Sequence, residues 1–217
     1  MPADGDAGAT RIGVAAGGAV LLVLAVAAGL LAVRAGGGPD TDAAPPPPTP
    51  SASPTPTPAP ACSTAAGRIL PTAVSLPGGI GRVSVLALHR DADGIPGVPP
   101  LTSAGKTEMA FDLGNGIRPG DLRGNALLNA HTWPDGSALG NKLLAGLHKG
   151  DEIIVHGLLG QICYRVSDRV QVPADDPGVR YYAKRGQPQI AIVVCSGKRL
   201  GPGVWTKRTL WFASPEA

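Results

Sequence analysis

Gln189-Ile190-Ala191-Ile192-Val193-Val194-Cys195-Ser196-Gly197 is a continuous apolar, β-branched run that ends on a thiol. Its length and composition read as a buried strand. Two other runs end in comparable chemistry. Leu127-Leu128-Asn129-Ala130-His131-Thr132-Trp133 carries an apolar stretch into a histidine, and Trp205-Thr206-Lys207-Arg208-Thr209-Leu210-Trp211-Phe212 carries an arginine into a third run. Three strand ends therefore supply a thiol, an imidazole and a guanidinium, a set sufficient for thiol-based acyl transfer.

Working outward, short β-branched runs recur between Gly/Pro punctuation. Strands are expected near 71–76, 82–89, 108–113, 125–131, 151–157, 161–172, 188–195 and 208–213. Pro96-Gly97, Pro99-Pro100, Asn115-Gly116, Pro119-Gly120, Pro134-Asp135-Gly136 and Gly201-Pro202-Gly203 mark loops. One short helix is expected over 138–148, with Ser137 as N-cap, Leu139, Leu143, Leu144 and Leu147 on one face, and Lys149-Gly150-Asp151 ending it. About eight short strands and one helix argue for an all-β fold, a small β-barrel rather than a βαβ sheet.

That domain occupies residues 67–217 of the 217-residue chain. Residues 1–11 form a short tail. Residues 12–33 contain no charge and lie between Arg11 and Arg34. As a helix they would reach roughly 33 Å, enough to cross a bilayer, so a retained transmembrane anchor is expected, with a cleaved secretory signal as the alternative. Residues 34–66 are a Pro/Thr/Ala-rich linker, unable to bury apolar area and expected to be a disordered, extended stalk. In a polyproline-like form residues 35–61 would span roughly 80 Å. The net charge of +3 is mild and scattered, with 13 Arg against 6 Lys, and suggests no nucleic-acid binding.

Three cysteines occur without a CxxC or Cys/His cluster, so no structural metal is expected. Outside the cell Cys62 and Cys163 are candidates for a disulfide pinning the stalk to the domain, leaving Cys195 as a free thiol. The plain alternative is three small apolar residues. Taken singly, Cys195 also reads as core, His131 as a strand-end cap and Arg208 as a charge guarding an edge strand. His89, His148 and His156 read as surface or loop residues. Trp133 and Trp205 are either walls of a substrate groove or packing anchors. Asp175-Asp176 reads as a solvated acidic turn, short of the six to eight oxygens calcium takes.

Taken together, Ala130-His131, Val193-Val194-Cys195 and Arg208 at the start of the last strand resemble a sortase. His131 precedes Cys195, and Arg208 follows it, in the order and spacing of that family. Gly124-Asn125-Ala126-Leu127-Leu128, Leu147-His148-Lys149-Gly150-Asp151-Glu152-Ile153-Ile154-Val155 and Tyr164-Arg165-Val166 add to the likeness, which covers most of residues 70–217. One anchor, a Pro-rich stalk and an Arg-rich composition look most like the actinobacterial class F branch. The resemblance departs at Val194, where many sortases carry a Thr that helps orient substrate.

The resemblance implies a closed eight-stranded barrel with one or two short helices. It implies a cysteine transpeptidase that cleaves an LPxTG-like sorting signal at Thr–Gly and passes the acyl group, through a thioacyl enzyme, to an amine of a cell-wall precursor. Cys195 would be the nucleophile, His131 the proton donor and Arg208 the oxyanion or substrate-binding group, with Val194 beside the substrate. No cofactor is implied. The partners would be secreted proteins with C-terminal sorting signals and the peptidoglycan precursor. The enzyme would sit in the plasma membrane through residues 12–33, single-pass, with its catalytic domain outside a Gram-positive cell. The alternatives are a non-catalytic exported β-barrel binding module, a degenerate form, or another cell-wall Cys/His peptidase.

Overall fold

The computed structural model describes residues 62–176 and 178–216. The expected tail, anchor 12–33 and linker up to residue 61 lie outside the described residues. Among the described residues no helix is long and apolar enough to cross a membrane.

Eight strands close a barrel: β1 (Pro71–Leu76), β2 (Gly81–Leu88), β3 (Met109–Asp112), β4 (Asn125–Ala130), β5 (Glu152–Gly157), β6 (Gly160–Pro173), β7 (Gln189–Gly201) and β8 (Val204–Pro215), with one helix, α1 (Leu139–Gly146). Around the barrel the order is β1-β2-β3-β4-β7-β8-β6-β5. Most neighbours are antiparallel, but β2–β3 and β4–β7 are parallel. A parallel pair needs a crossover connection. The segment joining β2 to β3, residues 89–108, is one such crossover.

The two parallel strands β4 and β7 explain why their sequences read as unbroken apolar runs. Ala126, Leu128, Ala130, Ile190, Ile192 and Val194 point into the barrel core. Leu127 and Ala191 point outward, yet are buried with Leu210 and Phe212 beneath Tyr181 of the β6–β7 connection. Strands covered on both faces lose the alternation of a half-solvated sheet.

The strand positions agree closely with those expected from sequence, with two exceptions at the C-terminal end. β7 continues to Gly201 and β8 begins at Val204, so a hairpin projects beyond Cys195 and Arg208. Polar residues at 196–207 carried no apolar signal for this pairing.

The helix is shorter than expected and Ser137 does not cap it. The Ser137 amide and hydroxyl both donate to Asp135 Oδ1, at 3.0 and 2.7 Å. Ala138 is the N-cap and makes no side-chain cap bond. The first-turn amides find backbone acceptors instead: Leu139 N–H donates to Lys106 O at 2.9 Å, and Gly140 N–H to His131 O at 2.8 Å. At the other end the helix stops at Gly146, three residues before Lys149, and the Trp211 indole donates to Leu147 O at 2.9 Å.

The chain joins the barrel along the start of β6. Cys62 and Cys163 form a disulfide with Cα atoms 5.9 Å apart. Thr64 N–H donates to Gln161 O at 2.9 Å, Cys163 N–H to Ser63 Oγ at 3.1 Å, and the Gln161 amide to Cys62 O at 3.0 Å.

Candidate active site

Strand parity sets the site. Leu127, Asn129 and His131 alternate on the outer face at the end of β4, as do Ala191, Val193 and Cys195 on β7, and Phe212, Leu210 and Arg208 on β8. Cys195 lies directly opposite Arg208 in the antiparallel β7–β8 register, and Val194 opposite Ala130 in the parallel β4–β7 register. All three candidate groups therefore emerge on one face and line one groove of about 300 Å³. Its walls are Ile95, Pro96 and Val98 from the β2–β3 crossover, and Ala174, Tyr181 and Tyr182 from the β6–β7 connection.

The Cys195 thiol is half-buried and is the free cysteine of the described residues. Burial pushes its pKa up, and the positive charge of Arg208 pulls in the opposite direction. The thiol is thus neutral at rest near pH 7. Arg208 donates to the Lys207 carbonyl at 3.1 Å and has no carboxylate partner among the described residues, which leaves its remaining donors toward the groove.

His131 Nε2 lies 2.6 Å from Pro99 O. A carbonyl only accepts, so Nε2 carries the proton in this state. Asn129 donates to Gly97 O at 2.9 Å from the same crossover. Two bonds hold residues 97–99 against the imidazole side of the groove.

Behind these groups the backbone is clamped. Thr132 Oγ1 donates to Cys195 O at 2.7 Å, joining the residue after the histidine to the cysteine's own carbonyl. Gly140 presses against the same turn: a Cβ there would lie 2.5 Å from His131 O and 2.6 Å from Thr132 Oγ1, so this helical position has no room for a side chain. On the far side of Cys195 the β7–β8 register shifts after Ser196, with Gly197 at φ 78°. This bulge ends the regular ladder one residue beyond Cys195. Beneath, the buried hydroxyls of Thr209 and Ser196 are 2.9 Å apart.

Val194, expected beside the substrate, is 2% exposed and packs in the barrel interior while bordering the groove. Trp133 and Trp205 do not line it. Trp133 is an anchor: its amide and carbonyl pair with the Asn141 side chain at 2.9 and 3.1 Å, and Lys106 Nζ sits 4.4 Å from its ring centroid. The aromatic wall is Tyr181 and Tyr182 instead. Nothing in Arg180-Tyr181-Tyr182 marks it by motif, and only the return of its segment across β4 and β7 places it at the site. Arg90 supports Tyr182 from below, 5.6 Å from the ring centroid, while pairing with the buried Asp112 through Nε at 3.0 Å and Nη2 at 2.6 Å.

His89 and His148 are exposed. His156 differs from the expectation of a surface or loop residue: it lies in β5, half-buried, with Nε2 2.8 Å from Ser75 Oγ on β1. Asp176 accepts from Gly178 N–H at 2.9 Å, as a local turn.

No family model and no curated protein matches this chain. Solved structures do. Sortase C1 from Streptococcus suis is 19% identical with a TM-score of 0.50, covering 70% of this chain and 74% of that one. The pilus-related sortase C of Group B Streptococcus is 18% identical with a TM-score of 0.50, covering 71% and 70%. Streptococcus agalactiae sortase C1, solved in complex with MTSET, is 17% identical with a TM-score of 0.50, covering 67% and 68%. At these identities the likeness is one of fold, and the barrel of this chain is a sortase-type closed β-barrel.

Proposed function

We propose that the protein is a sortase-type cysteine transpeptidase acting on secreted proteins with an LPxTG-like sorting signal. The observation that carries this reading is the convergence of Cys195, Arg208 and His131 on one groove, with the thiol and guanidinium directly opposite across β7–β8.

The Cys195 thiol gives its proton to the neutral His131, and the resulting thiolate attacks the Thr carbonyl carbon of the signal. Arg208 donates to the developing oxyanion or to the substrate backbone. The Thr–Gly C–N bond breaks, His131 gives its proton to the departing amine, and a thioester remains on Cys195. An acceptor amine then attacks the thioester, gives a proton to the now neutral His131, forms the amide and releases the thiolate. The apolar flank of Ile95, Pro96 and Val98 suits the Leu-Pro part of such a signal. His131 Nε2–H is held by Pro99 O, and breaking that one bond frees Nε2 for the departing amine. We further propose that residues 12–33 anchor the chain in the plasma membrane, with the barrel outside, that the acceptor is a cell-wall precursor amine, and that the chain is of the actinobacterial class F type.

The test incubates the full chain in detergent with an LPxTG-type peptide, with and without a glycine-based amine, followed by intact mass spectrometry. The expected result is a substrate-dependent acyl adduct on Cys195 that is released as the amide when amine is added. Cys195→Ala should abolish the adduct, and Arg208→Lys, which keeps charge but loses the fork of donors, should lower its rate by roughly 10²–10³-fold. A folded protein with a titratable thiol that acylates with no member of a peptide library would favour the reading of a non-catalytic binding barrel.

A further inference from the structure

The end of the barrel opposite Cys195 carries both exposed leucines and exposed cations. The β5–β6 hairpin closes on the pair Gly157 and Gly160, and its two turn residues are Leu158 and Leu159, 94% and 77% exposed. Two-residue hairpin turns favour Asn, Asp or Gly. Two leucines there contribute nothing to the turn and bury nothing in the barrel. Leu122, in the β3–β4 connection, is 92% exposed. That connection is locked to the same end: Pro119 O accepts from Ile69 N–H at 2.8 Å, and Gly120 N–H donates to Tyr164 Oη at 3.0 Å.

Arg68, Arg118, Arg123, Lys184 and Arg185 are exposed at the same end of the barrel. The 184–186 segment reaches this end where Gly124 N–H meets Gly186 O at 3.4 Å. Two acids lie at this end, each already paired: Asp121, 4.0 Å from Arg68, and Glu216, which pairs with Arg165. The side chains of Arg118, Arg123, Lys184 and Arg185 have no carboxylate partner among the described residues, although the Arg118 backbone N–H donates to Asp121 Oδ2 at 2.7 Å. The chain also arrives here: the Cys62–Cys163 disulfide and the bonds to Gln161 fix residues 62–64 beside the hairpin. The 61 residues before them include the uncharged run 12–33, of bilayer-spanning length.

We propose that this end is a docking face for an anionic lipid bilayer, with Leu158, Leu159 and Leu122 entering the interface and Arg118, Arg123, Lys184 and Arg185 meeting lipid phosphates. Exposed apolar side chains and cations at one end are the composition that such a surface attracts. β4 begins at this end with Asn125 and leads to His131, so docking leaves the groove roughly 20 Å farther along the barrel and open. The inference does not rest on the catalytic reading, and its test uses no activity.

The experiment is hydrogen–deuterium exchange of the full chain in nanodiscs of phosphatidylcholine alone or with added phosphatidylglycerol. Peptides covering 117–124, 156–161 and 184–186 should exchange more slowly on anionic discs, and high salt should restore their exchange. Arg118→Glu/Arg123→Glu should weaken docking by at least about fivefold for each cation lost. Leu158→Ser/Leu159→Ser should also release the face, while unchanged exchange in β4 and β7 reports an intact barrel in either variant. Equal exchange on the two disc types, or protection confined to the 198–205 hairpin at the other end, would overturn the proposal.

Discussion

Cys195 and Arg208 face each other across one rung of the β7–β8 ladder, and that rung governs the thiol's ionisation. Burial raises the Cys195 pKa and Arg208 lowers it, so the folded thiol is less ionised than an exposed cysteine at any pH below its own midpoint. Its alkylation by iodoacetamide should therefore rise with pH through a midpoint above the ordinary thiol value of about 8.5. Removing the cation in Arg208→Ala leaves burial unopposed, so the midpoint should move further up and the rate at neutral pH should fall. Rate-against-pH profiles of both proteins check this; a midpoint that stays or moves down would separate Arg208 from the thiol. Cys195, His131 and Arg208 could be picked out in the sequence because each stands at one end of an apolar run. Thr132 was not, although its hydroxyl holds the Cys195 carbonyl, because a Thr after a His has no signature until the two strands lie side by side.

At the scale of elements, α1 does more than cover the barrel. Its first turn donates to the His131 carbonyl and leaves no space at Gly140. Gly140→Ala forces a methyl group to within 2.5 Å of His131 O, and overpacking of this kind costs about 1–3 kcal/mol. Thermal melting should show that loss, and Cys195 acylation should slow as the His131–Thr132 turn shifts. Gly146→Ala is the matched control: its nearest neighbour would be 3.8 Å away, and replacing a helical glycine gains up to about 1 kcal/mol. Equal melting temperatures for the two variants would mean that the helix does not brace the turn. From sequence alone the helix was found, but with the wrong cap. Ser137 has the right residue type at the right place, yet Asp135 two residues earlier takes both its amide and its hydroxyl. Local hydrogen bonds of this kind compete directly with capping.

For the whole molecule, the Cys62–Cys163 disulfide closes a long loop, with a sequence separation of 101. Cross-links of this kind typically stabilise by about 2–4 kcal/mol. Cys62→Ser/Cys163→Ser should lower the urea midpoint accordingly while keeping the barrel's far-ultraviolet circular dichroism, and adding reductant to the native protein should give the same shift. Superimposable unfolding curves would contradict this. The sequence by itself determined the strands, their approximate ends and the chemistry at three of them, because apolar period and Gly/Pro punctuation are local properties of the chain. The continuous runs of β4 and β7 even declared that both faces would be covered. Tertiary structure alone decided that these two strands are parallel neighbours, that Tyr181 and Tyr182 rather than Trp133 and Trp205 wall the groove, and that Pro99 reaches His131. It alone gathered the cations and leucines of four separate segments at the opposite end. Those outcomes depend on which segments meet after the barrel closes, and residues far apart in the chain carry no local periodicity that records their meeting.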